Sequence, residues 1–320
     1  MNKPFLLKPS GKDYLWGGNR INDDFGKNIN LSPLAESWEC SIHPDGPSFV
    51  ASGEHKGKSL KEVLDEYPEY LGTKHKQFPI LIKFIDADKD LSVQVHPDDE
   101  QAKKDHDNGK TEMWYVLDAT HDAKLVYGFN KDCTDAEIRD SIEDGSLLDK
   151  LQIVDVRKND VFFIEPGTVH AIGAGSLIAE IQESSNLTYR LYDYDRVDKH
   201  GNKRELHIDK ALEVANLKSS SKPRQPMRVL KYEDGAAREL LARCRYFEVY
   251  RMLLNTERRQ EVIYSSDSLS FKVLLCIDGC GILSYCDETL KFYRGDCFFI
   301  PADSYPITLH GEAQFLDVWG

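Results

Sequence analysis

The stretch NDVFFIEPGTVH, residues 159–170, has a counterpart further along the chain in GDCFFIPADSYP, residues 295–306. Each carries an Asp, a Phe-Phe-Ile run and a turn containing proline. With a one-residue gap at Glu165, His170 falls opposite Tyr305. Two short apolar strands can agree by coincidence, but the shared order of acid, apolar run and turn reads as two copies of one β-rich unit.

The rest of the chain accommodates that reading. Its 320 residues, 41% of them hydrophobic, suffice for about two domains with real cores. Aromatic content of 10% and the lack of a long biased tract point to a folded chain. Between the copies, NLKSSSKPRQPMRV (216–229) is rich in Ser, Lys and Pro and reads as a linker or a long surface loop. The expected division is therefore 1–222 and 223–320. Beyond it, short β-branched and aromatic runs broken by turns predict a sandwich or jelly roll.

The first domain is mixed. Strand-like runs are PILIKFID, LSVQVH, TEMWYVL, KLVYGF, QIVDVRKNDVFFI and SLIAEIQ. Helix starts are signalled by two capping boxes, Ser59 with Glu62 and Thr134 with Glu137, where hydroxyl and carboxylate satisfy each other's exposed amides. DDEQAKKDHDNG (98–109) predicts a short helix closed by Gly109. A mainly β core carrying helical insertions is expected.

A formal net charge of −13 disfavours nucleic acid and anionic membranes as partners but leaves room for a small anionic substrate. No run approaches the roughly 18 apolar residues of a membrane span. The start, MNKPFLLKPSGKDY, lacks the apolar core of a secretory signal. Seven cysteines without regular spacing suit reduced thiols, so a cytoplasmic protein is expected.

Chemistry gathers around LSVQVHPDDE (91–100). Strand alternation turns Val93 and Val95 one way and Gln94 and His96 the other. Glu112 opens EMWYVL, and His170 follows the turn EPGT. Two imidazoles, a carboxylate and an amide oxygen form a nitrogen/oxygen set for a divalent cation of borderline hardness. Zinc suits it best, with manganese, iron and cobalt chemically open. Spacing unites only Gln94 and His96, and a histidine after a Pro-Gly turn is more often a surface residue. Cations are at hand in Lys83, Lys110, Arg190 and Arg196, although solvated surface charge is their ordinary role. Ser92 shares the face of Gln94. Glu180 lies in the apolar strand LIAEIQ, where a carboxylate costs free energy unless paired or used; a salt bridge to Arg190 is one account of it. His43 has no evident partner and reads as structural. Cys276, Cys280, Cys286 and Cys297 lack the close pairs of a zinc site and read as free thiols.

Taken in order, YLWGG (14–18), AESWE (35–39), FPILIKFIDADKDLSVQVHPDD (78–99), GKTEMWYVL (109–117), EPGTVHAIG (165–173) and EIQESSNLTYRLYDYDR (180–196) resemble the short bacterial form of the type I phosphomannose isomerases, in the cupin superfamily. The resemblance implies two cupin-like jelly-roll domains, the second degenerate and bracing the first, since Tyr305 stands where a ligand histidine would. It implies one Zn2+ per chain held by His96, Glu112, His170 and Gln94. It puts Arg190 in the active centre, Glu180 in the substrate pocket and Arg196 near the substrate phosphate; Ser92, on the face of Gln94, is a hydroxyl donor for that phosphate, and Lys83 and Lys110 are cations for an anionic substrate. Trp16 and Trp38 are candidates for an apolar wall against the sugar, or for core. The implied reaction interconverts mannose 6-phosphate and fructose 6-phosphate through an enediolate, with Glu180 the favoured base and a metal-bound water the alternative. The partner is a small hexose phosphate and the protein a monomer or homodimer. Competing readings are another cupin hexose-phosphate isomerase or epimerase, and a non-catalytic sugar-phosphate sensor.

Overall fold

The computed structural model describes every residue except 199 and 257–259. The first unit is a sandwich of two antiparallel sheets. In the larger, the strands Val161–Ile164, Glu112–Ala119, Ser176–Glu183, Ile80–Ala87, Glu36–Cys40 and Ser10–Lys12 lie side by side in that order. The facing sheet runs Tyr189–Tyr192, Val93–Val95, His170–Ile172, Lys124–Phe129, Leu151–Asp155. Ile85, Trp114, Val116 and Ile178 from the first sheet meet Leu125 and Ile172 from the second in one apolar cluster.

The three central strands of the larger sheet are buried on both faces, and alternation decides what each face does. Met113, Tyr115, Leu117, Leu177, Ala179, Ile181, Ile82 and Phe84 point outward into a second apolar layer. That layer also contains Val273, Leu275, Phe299, Leu316 and Val318 of the C-terminal unit, so the two units pack back to back on a common core. The inward face of the same strands carries Lys83, Glu112, Glu180 and Gln182, all buried, next to the apolar Ile85, Trp114, Val116 and Ile178. Apolar packing outside thus holds a row of polar side chains inside.

The C-terminal unit is built on one ten-stranded sheet whose long members, Lys272–Tyr285 and Ile307–Trp319, pair along their lengths. The early strands Phe5–Lys8 and Phe49–Val50 join this sheet, the former against Cys297–Ile300. Residues ahead of position 222 therefore contribute two strands to the sheet of the second unit. The segment 216–229 forms no strand and lies along the first unit. Its Gln225 side chain accepts from Val161 N at 2.8 Å and donates to Val161 O at 3.1 Å, covering an edge strand that would otherwise be open.

The repeat read from the sequence recurs bond for bond. Asn159 N donates to Val116 O and Val116 N to Asp160 O; Gly295 N donates to Cys276 O and Cys276 N to Asp296 O. Asp160 accepts from Arg157 N, and Asp296 from Tyr293 N, both at 2.8 Å. Asn159 and Gly295 both adopt positive φ, as this turn requires. Val161 and Phe163, like Cys297 and Phe299, face the common layer, whereas Phe162 and Ile164, like Phe298 and Ile300, face the interior of their own unit.

Both predicted capping boxes form, opening Leu60–Glu66 and Asp135–Glu143. Replacing Ser59 with alanine is expected to lower stability by about 1 kcal/mol, read as a shift in the thermal unfolding midpoint with activity unchanged. The third helix departs from expectation. It covers Asp99–Ala102, tightens into a 3-10 turn and ends at His106, which takes the left-handed conformation assigned in the sequence to Gly109. A further capping box, Asp98 with Gln101, starts it. Among the described residues no helix is long and apolar enough to cross a membrane.

Candidate active site

His96, Glu112 and His170 converge from opposite sheets, their ligand atoms all within 4.8 Å of one another. Gln94 and His170 are paired across adjacent strands, and His96 follows the end of the Gln94 strand. Glu112 arrives from the facing sheet, 3.2 Å from His96 Nε2 and 3.7 Å from His170 Nε2. The rings are oriented from behind: His96 Nδ1 donates to Leu187 O at 2.9 Å and His170 Nδ1 to Thr168 O at 2.8 Å. Both Nε2 lone pairs consequently face inward, the arrangement in which an outer partner fixes a ligand imidazole.

Burial, with the Lys110 ammonium beside it, pushes His96 down to about 3. Burial likewise lowers His170, so both rings are neutral at pH 7. For Glu112, burial favours the acid, but Lys110 at 2.8 Å, and then His96, hold it well below the usual carboxylate range. Glu112 Oε1 is nonetheless fully buried with no aligned hydrogen bond. Two inward lone pairs and an ionised, fully buried carboxylate fit a divalent cation, which needs deprotonated donors of this kind. Gln94 Nε2 lies 3.4 Å from His170 Nε2. A half-turn of the amide would exchange that donor for its acceptor oxygen.

Glu180 stands next to this trio. Its Oε2 accepts from Trp114 Nε1 at 3.0 Å, and the same N–H reaches Glu112 Oε2 at 3.1 Å. Glu180 Oε1 is 3.2 Å from Lys83 Nζ. Burial, and then the charge of Glu112, raise the Glu180 pKa. Burial would lower Lys83, but Glu180, Glu36 and Glu112 outweigh it and keep the ammonium charged. The buried ion pair of Glu180 is therefore with Lys83 and not with Arg190.

A cleft of about 500 Å³ opens onto these groups, lined by Trp16, Lys83, Ser92, Gln94, Lys110, Glu180 and Arg190 among others. Arg190 is paired with Gln94 in the sheet, and its Nε donates to Ser92 Oγ at 3.2 Å. Arg196 is a correction, because it does not line the cleft. Its guanidinium is engaged by the Asp193 carboxylate and the Asp90 carbonyl and lies 5.0 Å from the Tyr194 ring. Arg204 lines the cleft instead, with Nε 2.7 Å from Asp193 Oδ2. The bridge between Val197 and Lys203 folds the chain back to deliver it, and no strand periodicity in HGNKRELH announces that turn. Trp38 takes the core alternative: it is fully buried, outside the cleft, and donates to Glu36 Oε2 at 2.7 Å. Trp16 does line the cleft, tilted against Tyr14 at 5.5 Å. His43, read as structural, lines it too, its Nδ1 accepting from Asp45 N.

The second unit shows what becomes of the same positions without a site. Ile164 pairs with Glu112 and Ile300 with Lys272, so the repeat places Lys272 at the position of Glu112. By the same register Asp317 matches Glu180, and Trp319 matches Gln182. Asp317 is fully buried, accepts from Tyr264 OH and receives Trp319 Nε1 at 2.8 Å. A lysine ammonium stands where the first unit has the Glu112 carboxylate. The four cysteines of this unit are free, Cys276 and Cys297 buried, Cys280 and Cys286 exposed.

Two facing sheets with an inward His-Glu-His trio, followed by a second β unit that repeats the Phe-Phe-Ile turn with a lysine at the Glu112 position, define a two-domain, mainly β cupin protein. Comparison with known proteins agrees. Residues 5–134 match the model of the phosphomannose isomerase type I catalytic domain, and residues 237–319 that of the mannose-6-phosphate isomerase cupin domain. The chain is 37% identical over 316 residues to mannose-6-phosphate isomerase ManA of Bacillus subtilis, covering 98% of this chain and 97% of that one. It is 34% identical to the mannose-6-phosphate isomerase of Streptococcus mutans, covering 94% and 93%. The crystal structure of a mannose 6-phosphate isomerase from Bacillus subtilis superimposes over the full length of both chains, with a TM-score of 0.91 at 34% identity. The chain belongs to the type I mannose-6-phosphate isomerase family.

Proposed function

We propose that this chain interconverts mannose 6-phosphate and fructose 6-phosphate, with zinc as the ion held by His96, Glu112 and His170 and with Gln94 as a fourth donor. The observation that carries the reading is the pairing of that trio with Glu180. A carboxyl of raised pKa sits one indole N–H away from Glu112, at the foot of a cleft that also holds Arg190 and Arg204. A bound divalent cation supplies Lewis-acid stabilisation of negative charge on the sugar oxygens.

The chain's own residues do the remainder. Glu180 takes the proton from the carbon beside the carbonyl and returns it to the neighbouring carbon; burial, and then the charge of Glu112, raise its pKa, which strengthens it as the group that holds the proton in between. Lys83 and Trp114 hold it in place. Lys110 and Arg190 add fixed positive charge toward the enediolate, in a site where such charge acts with less screening than in water. Arg204, Arg190 and Ser92 form the grip for the phosphate, and Trp16 gives an apolar wall. Seven free cysteines accord with a cytoplasmic enzyme, acting as monomer or homodimer.

A coupled isomerase assay over several hexose phosphates tests the reading: turnover should be highest with mannose 6-phosphate. Preference for glucose 6-phosphate would favour another cupin isomerase, and binding without turnover a sensor. Arg190→Ala is expected to keep its full metal content while kcat falls by about 10²-fold. Loss of metal in that variant would make Arg190 a structural residue.

A further inference from the structure

The ten-stranded sheet of the C-terminal unit ends at the short strand Lys231–Glu233, which pairs on one side only, with Ala236–Arg243. Glu233 faces Ala236 across the two-residue turn Asp234-Gly235, and Lys231 faces Arg238. Hydrogen-bonded and non-hydrogen-bonded pairs alternate along an antiparallel ladder, and the pair that closes a two-residue turn is a bonded one. Tyr232, opposite Ala237, therefore turns its N–H and C=O away from Ala236–Arg243, to the open edge. All three residues of the strand are exposed.

An unpaired edge is a template for another strand, and proteins ordinarily blunt it with charge. Here the charges do not repel a copy of the same edge. Lys231 and Glu233 flank Tyr232 symmetrically, so an antiparallel copy centred on Tyr232 sets each lysine opposite a glutamate. The same register brings the two Tyr232 residues face to face, each with the free N–H and C=O that a bonded pair exchanges. A slip by one residue would set Tyr232 against a residue whose backbone bonds point inward, and a slip by two would set like charges together. Backbone phase and side-chain charge thus agree on one register.

Apolar surface lies alongside. Met227 and Tyr232 are the two most exposed large hydrophobic side chains among the described residues, at 87% and 80%, and Val229 between them is 62% exposed. Apolar exposure gathered in one short segment is what interaction surfaces carry. We propose that two copies of this chain pair through Lys231–Glu233, antiparallel about Tyr232, so that the sheet of one protomer continues into that of its partner. A three-residue strand makes a small interface, and a net charge of −13 opposes approach, so the dimer dissociates in the micromolar range. No residue beyond Arg204 lines the catalytic cleft, so the contact is independent of the isomerase reading.

Sedimentation equilibrium of the full chain, from low to high micromolar concentration, tests the proposal. Native protein should pass from monomer to dimer. Lys231→Glu and Glu233→Lys each turn two cross-strand pairs from attraction to repulsion and should weaken the dimer about tenfold, with turnover unchanged. An equimolar mixture of the two variants restores opposite charge at both pairs and should recover the native affinity as a heterodimer. Native protein that stays monomeric throughout the series would overturn the interface. So would a dimer that neither reversal weakens, or a mixture no stronger than the single variants.

Discussion

Replacing His170 with alanine is expected to strip the metal from the protein and take isomerase activity to background. Removing a ligand should exceed the roughly 10–100-fold loss typical of removing an outer partner of a ligand. Here the loss is compounded by position. Glu112 reaches both imidazoles, and without His170 a single imidazole, His96, remains as its neighbour for holding an ion, beside Lys110 and the Trp114 N–H. The fold should survive, because His170–Ile172 is paired on both sides by backbone bonds that alanine retains. Metal content by elemental analysis, with a circular dichroism spectrum of the same sample, checks this. Full occupancy in the folded variant would count against the site.

Glu180→Gln should act differently. Glutamine preserves the volume and can still accept from Trp114 Nε1, so the Glu112 side of the site and its metal should persist. What disappears is the group that carries the proton, a loss worth about 10²–10⁴-fold in turnover. Lys83 then keeps only Glu36, at 3.8 Å, as a close carboxylate. The expected signature is a collapse in kcat with KM changed little. Unaltered kcat would move the base elsewhere, to a metal-bound water or another side chain.

The parts of the site that were legible in the sequence are those carried by strands. Gln94 and His96 share a face by alternation alone, and the inward row of Lys83, Glu112 and Glu180 has the same origin once the outer face is known to be apolar. Repetition of the Phe-Phe-Ile turn disclosed the two-unit design, and the structure adds that equivalent residues face equivalent cores. What escaped depends on long-range or irregular backbone. Arg204 reaches the cleft through a hairpin of polar residues with no periodicity, whereas Arg196, closer to the motif, is turned away onto Asp193. The pairing of Glu180 with Lys83 is not legible in the sequence, because the two sit on strands far apart in sequence yet directly opposed in the sheet. Gly109 looked like a helix stop on composition, but the helix closes earlier, at His106.

Metal titration into chelated, metal-free protein, with turnover of mannose 6-phosphate followed at each addition, tests the central claim most directly. Activity should start at background, rise in proportion to added divalent cation and level off at one ion per chain. Full turnover before any cation is added would contradict the account.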